Sequence, residues 1–228
     1  MLPPGFRGRP VLDWSKCEPG CTACARACPS DAINLASAGP HLDLGRCILC
    51  GECSKACPTG AVRLTPDWRL AASERAELQL SGDTQPHVAV MGEELRRLLG
   101  RSLRLRQISA GGCNGCEAEI NALGNVVFDS SRFGIDFVAS PRHADGVLIT
   151  GPVTQNMRAA ALQTYEAVAE PKLVIAAGAC AISGGIFRGH PEVTDGAEHL
   201  FPVDLYIPGC PPHPVTILDG LLRLLGRL

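Results

Sequence analysis

Residues 103–120 read LRLRQISAGGCNGCEAEI, an apolar run that breaks into a glycine turn holding Cys113 and Cys116, with Glu117 and Glu119 close behind. The same order of events recurs downstream. Candidate strands are Leu103 to Ile108, Ile135 to Ala139, Gly146 to Thr150, Leu173 to Ala177 and Val203 to Ile207. Helical stretches lie between and after them, including Gln155 to Ala169 and Pro214 to Leu225. Strands alternating with helices of this length predict an α/β fold with a parallel sheet covered on both faces.

The cysteines of this half fall in a revealing place. Cys113 and Cys116 follow the first strand, Cys180 follows LVIAA, and Cys210 follows DLYIPG. All four sit just beyond the carboxyl ends of strands, where open parallel sheets bind their ligands. Gly111, Gly112, Gly115, Gly178 and Gly209 beside them would let backbone approach a bulky inorganic cube. Four thiolates brought together in this way suit a 4Fe–4S cluster. Ligand count alone leaves tetrahedral zinc open, although a redox-inert ion would interrupt an electron path.

Upstream lie eight further cysteines. CEPGCTACARACP (17–29) and CILCGECSKACP (47–58) form an internal repeat, in which Cys21, Cys24 and Cys28 recur 29 residues later as Cys50, Cys53 and Cys57. The second run is C-x2-C-x2-C-x3-C-P, the spacing with which bacterial ferredoxins wrap 4Fe–4S clusters. In that pattern the cysteine before proline serves the other cluster. One set is therefore Cys17, Cys21, Cys24 and Cys57, and the other is Cys47, Cys50, Cys53 and Cys28. The first run opens with an extra residue in Glu18-Pro19-Gly20, expected to bulge as a turn and leave Cys17 a ligand. Zinc ribbons present paired C-x2-C knuckles held well apart, which these runs do not match. Three sets of four use all 12 cysteines, so the reading is three 4Fe–4S clusters with iron held by thiolates alone. Clustering of this density argues against a secreted disulfide scaffold.

Composition excludes several alternatives. A net charge of -2 on 228 residues gives no reason to expect nucleic acid as a partner. No secretory leader is legible at the N-terminus. The longest apolar stretch, Leu173 to Phe187, is broken by Gly178, Gly184 and Gly185, which argues against a membrane span. The expected location is the cytoplasm, peripheral to the inner membrane through partner subunits. No G-x-G-x-x-G or P-loop follows a strand, so a nicotinamide nucleotide would be handled by another subunit.

Four stretches together carry a resemblance: GGCNGCEAEINAL (111–123), SPRHADGVLITGPVTQNM (140–157), PKLVIAAGACAISGGIF (171–187) and DLYIPGCPPHPVTILDGLL (204–222). They resemble the small electron-transferring subunit of membrane-bound, energy-converting nickel–iron hydrogenases of the formate hydrogenlyase-like kind. That family includes the 20 kDa subunit of NADH:quinone oxidoreductase, complex I. The resemblance implies a flavodoxin-like domain over residues 103–228, a connecting linker and helix over 67–102, and a two-cluster ferredoxin-like domain over 1–66. It also implies an oxidoreductase partner, a large subunit holding nickel–iron or a quinone pocket, with a soluble ferredoxin or another subunit as electron donor. Complex I relatives carry two adjacent cysteines, whereas Cys113-Asn114-Gly115-Cys116 is similar to the hydrogenase branch. The joined ferredoxin unit departs from both, where it is normally a separate chain. A nickel-free, quinone-reducing relative and a stand-alone ferredoxin-like carrier are the alternatives.

Single residues admit more than one role. Glu119 matches the family's acidic position, as a proton relay or as a salt-bridge or helix-start acid; Glu117 reads as a first-turn helix acid. His213 either hydrogen-bonds near the third cluster or caps a helix. Thr150-Gly151-Pro152-Val153-Thr154 reads as a tight strand-to-helix turn beside the third set. His41, His87, His143, His190 and His199 show no ligand spacing. Met91, Leu95, Leu98 and Leu99 fall on one helical face, and Arg96, Arg97, Arg101, Arg104 and Arg106 form a basic cluster read as a solvated face or a partner patch.

Overall fold

The computed structural model describes residues 2–36, 39–99 and 102–228. The cysteine repeat folds as two short helices framed by antiparallel strand pairs. β1 (Pro10–Leu12) is followed by α1 (Ala23–Arg26), β2 (Ile33–Ala36), β3 (Gly39–Asp43), α2 (Glu52–Ala56) and β4 (Val62–Leu64). β1 pairs antiparallel with β4, which closes the unit on itself. β2 pairs antiparallel with β3. Each helix begins inside a cysteine run, and the Cys-Pro that follows directs the chain out of the helix, because proline cannot continue it.

The next segment is woven into both halves. Arg75–Leu78 forms one 3-10 turn, and β5 (Gln79–Leu80) adds to β3 with Leu80 opposite Leu42. Ala72 forms a bridge with Tyr206 of the second half. α3 (Glu93–Leu99) then packs through buried Leu99 and half-buried Leu95. The shared face expected from sequence departs at Leu98, which is 57% exposed: within α3 it falls about 80° from the mid-line of Leu95 and Leu99, at the edge of the packed stripe. Met91 is held instead by its N–H, which donates to Leu224 O at 3.0 Å. Arg96, Arg97 and Arg104 are exposed and Arg106 is half-buried, while Arg101 lies outside the described residues.

β6 (Leu103–Ser109), β7 (Ile135–Phe137), β8 (Gly146–Thr150), β9 (Leu173–Ala177) and β10 (Leu205–Ile207) form a parallel sheet in the order β10-β9-β8-β6-β7. Counted within the domain this is 2-1-3-4-5, the flavodoxin-like order. Two strands, β7 and β10, are shorter than their apolar runs. At β10, Asp204 replaces a ladder residue: its carboxylate accepts from Val174 N–H at 2.8 Å.

Residues alternate between the two faces, as strand geometry requires. Leu103, Leu105, Leu148, Ile175 and Ile207 pack beneath α3, α4 (Gly115–Ala122) and α7 (Pro214–Leu224). Ile108, Ala110, Val147, Ile149 and Val174 face α5 (Gln155–Glu166) and α6 (Ala179–Ser183). This second core runs on into Leu42, Leu44, Leu78 and Leu80, so the two halves share one apolar interior. Among the described residues no helix is long and apolar enough to cross a membrane.

Candidate metal centres

All twelve cysteines are free thiols. Cys113, Cys116, Cys180 and Cys210 line a single cavity of about 90 Å³ together with Gly112, Gly115, Gly151 and Gly209. It lies at the carboxyl ends of β6, β8, β9 and β10, at the point where the strand order reverses. Glycine makes the cavity. Gly178 sits at φ +93°, and a Cβ there would stand 2.6 Å from Cys116 Sγ. A Cβ on Gly185 would stand 2.8 Å from Cys180 Sγ. At Gly151, φ +79°, a Cβ would stand 2.6 Å from Gly112 N, so only glycine lets the two turns close together. The Thr150–Thr154 turn is therefore one wall of the site.

Burial and the neighbouring charges of Glu117 and the other thiols push Cys116 up to about 12. Burial and the same neighbours push Cys180 up to about 11, and burial raises Cys210. No Lys, Arg or His stands among the residues lining the cavity. Four thiolates there need inorganic cations to balance them, and an all-sulfur donor set selects zinc or an iron–sulfur cluster. Among the described residues no group of three or more His, Cys, Asp or Glu side chains is arranged to grip a metal ion. The thiols stand spaced around a cavity instead.

The ferredoxin-like half shows the crossing of its two runs. Cys28 of the first run lines one cavity with Cys47, Cys50 and Cys53 of the second. Burial, then the charges of Cys53, Cys28 and Cys50, raise Cys47 to about 12. Cys53 is raised to about 11, by burial first and then by Cys28. In the other set, burial and the charges of Cys57 and Cys17 raise Cys24. Cys21 stands half-exposed after the Pro19-Gly20 turn, where its N–H donates to Glu18 O at 3.1 Å. Gly20 takes φ +77°, so the extra residue is absorbed by that turn.

Three sites adjoin. Cys24 contributes to the repulsion felt by Cys53, which connects the two ferredoxin-like sets. Ser183, at the end of the helix carrying Cys180, donates to Gly45 O at 3.0 Å, just ahead of Cys47. Arg7 Nη1 donates to Cys50 O at 2.7 Å, and Phe6 meets His213 edge-on at 5.3 Å. A cavity of about 300 Å³ with mixed lining lies in this seam, where Arg7, Glu119, His213 and Thr216 meet Phe6, Leu49 and Cys210 among others.

The single residues resolve as follows. His213 is the N-cap of α7, its Nδ1 accepting from Val215 N–H at 3.2 Å. His41 is half-buried, and His87, His143, His190 and His199 are exposed or partly so. Glu119 is half-buried in the seam. Glu117 lies in the first turn of α4 as expected, yet it is buried and faces the third cavity. Its Oε1 accepts from Thr150 Oγ1 at 2.6 Å and Ser109 Oγ at 2.7 Å. Burial opposes its charge, and the two hydroxyls together with its own backbone N–H hold the carboxyl below its ordinary range. Sequence reasoning missed this arrangement. Its only trace was a hydroxyl at the end of each of two apolar strands.

A flavodoxin-like sheet with thiols at its switch point, joined to crossed ferredoxin cages, defines an iron–sulfur electron-transfer protein of the oxidoreductase class. Residues 113–224 match the family described as NADH ubiquinone oxidoreductase, 20 Kd subunit, and residues 16–61 match the 4Fe-4S dicluster domain. The chain is 42% identical over 135 residues to the probable membrane-bound hydrogenase subunit mbhJ of Pyrococcus furiosus, covering 59% of this chain and 81% of that one. It is 47% identical over 141 residues to formate hydrogenlyase subunit 7 of Escherichia coli, covering 62% of this chain and 55% of that one. A subunit of the NADH-quinone oxidoreductase of Carboxydothermus hydrogenoformans is 49% identical over 114 residues, 50% of this chain and 69% of that one. A solved archaeal respiratory complex, the membrane-bound sulfane sulfur reductase, contains a chain similar at TM-score 0.51 and 35% identity, over 58% of this chain and 73% of that one. The chain belongs to the 20 kDa subunit family, and it carries a ferredoxin-type iron–sulfur domain ahead of that unit.

Proposed function

We propose that this chain is the electron wire of a membrane-associated, hydrogenase-type oxidoreductase, holding three 4Fe–4S clusters. The ligands are Cys17, Cys21, Cys24 and Cys57; Cys47, Cys50, Cys53 and Cys28; and Cys113, Cys116, Cys180 and Cys210. Bound clusters of this kind take up and release single electrons. Residues 1–66 serve as the ferredoxin-like unit, 67–102 as the connector that pins it to the sheet, and 103–228 as the unit that meets the catalytic partner.

The observation that carries this reading is the adjacency of the cysteine sets. The Cys47 set lies between the Cys24 set and the Cys180 helix, so the outer port is the first run and the inner one is the sheet. Cys113 and Cys210 are exposed at the sheet end. Beside Cys180 of the same set, the loop after Gly185 leaves large apolar side chains in solvent, with Ile186 58% and Phe187 44% exposed. That pairing supports a large catalytic subunit docked over the third set, and argues against a free-standing carrier. Attachment to the membrane is peripheral, on the cytoplasmic side, through such partners. Glu119, which lines the seam cavity with His213 and Arg7, is proposed as the proton relay.

The open Cys113-x2-Cys116 spacing and the likeness to hydrogenase subunits favour a nickel–iron partner. Likeness to a chain of NADH-quinone oxidoreductase sustains a quinone-reducing, nickel-free alternative. Two C-x2-C pairs in the large subunit encoded with this chain support the first; their absence supports the second. For the chain itself, iron and sulfide analysis with EPR after anaerobic reduction is expected to give about twelve irons in three cubanes. About eight irons together with bound zinc would overturn the third cluster.

A further inference from the structure

Glu117 is the one carboxylate among the residues lining the third cysteine cavity. Ser109 and Thr150 are paired in register at the ends of the adjacent strands β6 and β8. Parallel partners project to the same side, so both hydroxyls reach one oxygen, Glu117 Oε1. Thr150 has one proton to give and a longer alternative at Ile108 O, 3.3 Å away. The shorter contact is to the carboxylate. Glu117 also sits in the first turn of the eight-residue α4, where the unpaired N–H groups favour a negative charge. Two hydroxyls donating to one oxygen beside a helix start is the donor arrangement that suits a carboxylate anion.

We infer that Glu117 is a fixed negative charge that holds the third cluster at a lower reduction potential than the cysteines alone would give. The inference rests on the three-cluster reading above. Adding an electron to a cluster raises its negative charge, and a neighbouring anion in a weakly screened site opposes that step. Charge around the cluster is one of the protein's means of setting its potential. The effect singles out the cluster nearest the exposed sheet end, and it leaves the ferredoxin-like pair unchanged.

The test is an EPR-monitored redox titration of the reconstituted full-length chain, with iron and sulfide counted in the same samples. Glu117→Gln is expected to keep the full iron count and to move one of three reduction steps to higher potential, with the other two unmoved. Glu117→Asp, which retains the charge, is expected to restore most of the wild-type value. Glu119→Gln, half-buried and better screened, is expected to shift the same step less. Unchanged steps at full iron content would overturn the inference. If Glu117→Gln loads poorly, Glu117→Ala reads the same quantity, and failure of both to load would make the carboxylate structural and end the tuning role. A wild-type chain already at about eight irons would instead sink the third cluster itself.

Discussion

The cysteines of the ferredoxin-like half and those of the sheet end are gathered by opposite routes. In the first half, the cysteines sit three or four residues apart on loops that run into short helices, and the chain closes through the antiparallel pairing of β1 with β4. At the sheet end, the cysteines are collected from three strand termini as far apart as Cys113 and Cys210. The first kind of site is local and depends on loop geometry. The second exists only once β6, β8, β9 and β10 are in register, so it inherits the stability of the sheet.

The largest effect that would break this comparison comes from the cysteines. Cys180→Ala is expected to remove the third cluster alone, lowering iron by about four atoms per chain. Cys28→Ala is expected to empty the site of the second run, although Cys28 lies in the first. Iron analysis with EPR separates the outcomes, and loss of the Cys24-set signal in Cys28→Ala would refute the crossed assignment.

Alkaline pH tests what the two kinds of site share. Cys47 and Cys116 stand at about 12, and Cys53 and Cys180 at about 11, against an ordinary 9.0. A thiol whose value is raised in the folded state contributes its full stability below the unfolded value. That stability is lost as pH rises through the window from about 9 to 12, because the unfolded chain releases the proton first. The iron-free chain is expected to lose stability on going from pH 8 to pH 10, as read by denaturant midpoints. The loaded chain, whose thiolates are already ligated, is expected to lose much less.

Glycines sharpen the contrast. Gly178→Ala combines a φ of +93° with a Cβ 2.6 Å from Cys116 Sγ, and is expected to cost about 3 kcal/mol or more and to empty the third site. Gly20→Ala, at φ +77° with open space around it, is expected to cost about 1–2 kcal/mol and to keep all iron. Equal costs by chemical denaturation would deny that the sheet-end cage is the tighter construction. The smallest effect belongs to the seam. Ser183→Ala removes the hydrogen bond to Gly45 O, with an expected loss of about 1 kcal/mol and no change in iron.

Much of this is legible in the sequence, for physical reasons that differ by region. The cysteine runs announce themselves because ligand spacing is a local property of the chain. β8 and β9 fall on the residues their apolar runs predict, because strands buried on both faces are continuous hydrophobic runs. Leu98 departs from its expected face because α3 packs only a narrow stripe through Leu95 and Leu99, and Leu98 falls at the edge of that stripe. His213 has two readings in the sequence, and the Val215 N–H that donates to its Nδ1 decides for the cap.

By itself the sequence determined that eight cysteines fall in two duplicated loops and four in a dispersed set, and that an α/β sheet holds the dispersed set. Those are consequences of spacing and periodicity, which act over a few residues. Only the tertiary structure decided that the Cys47 site lies against the Cys180 helix, and that Glu117 turns inward onto Ser109 and Thr150. Both depend on strand register and on a core shared between the halves, which bring together residues that spacing along the chain cannot relate.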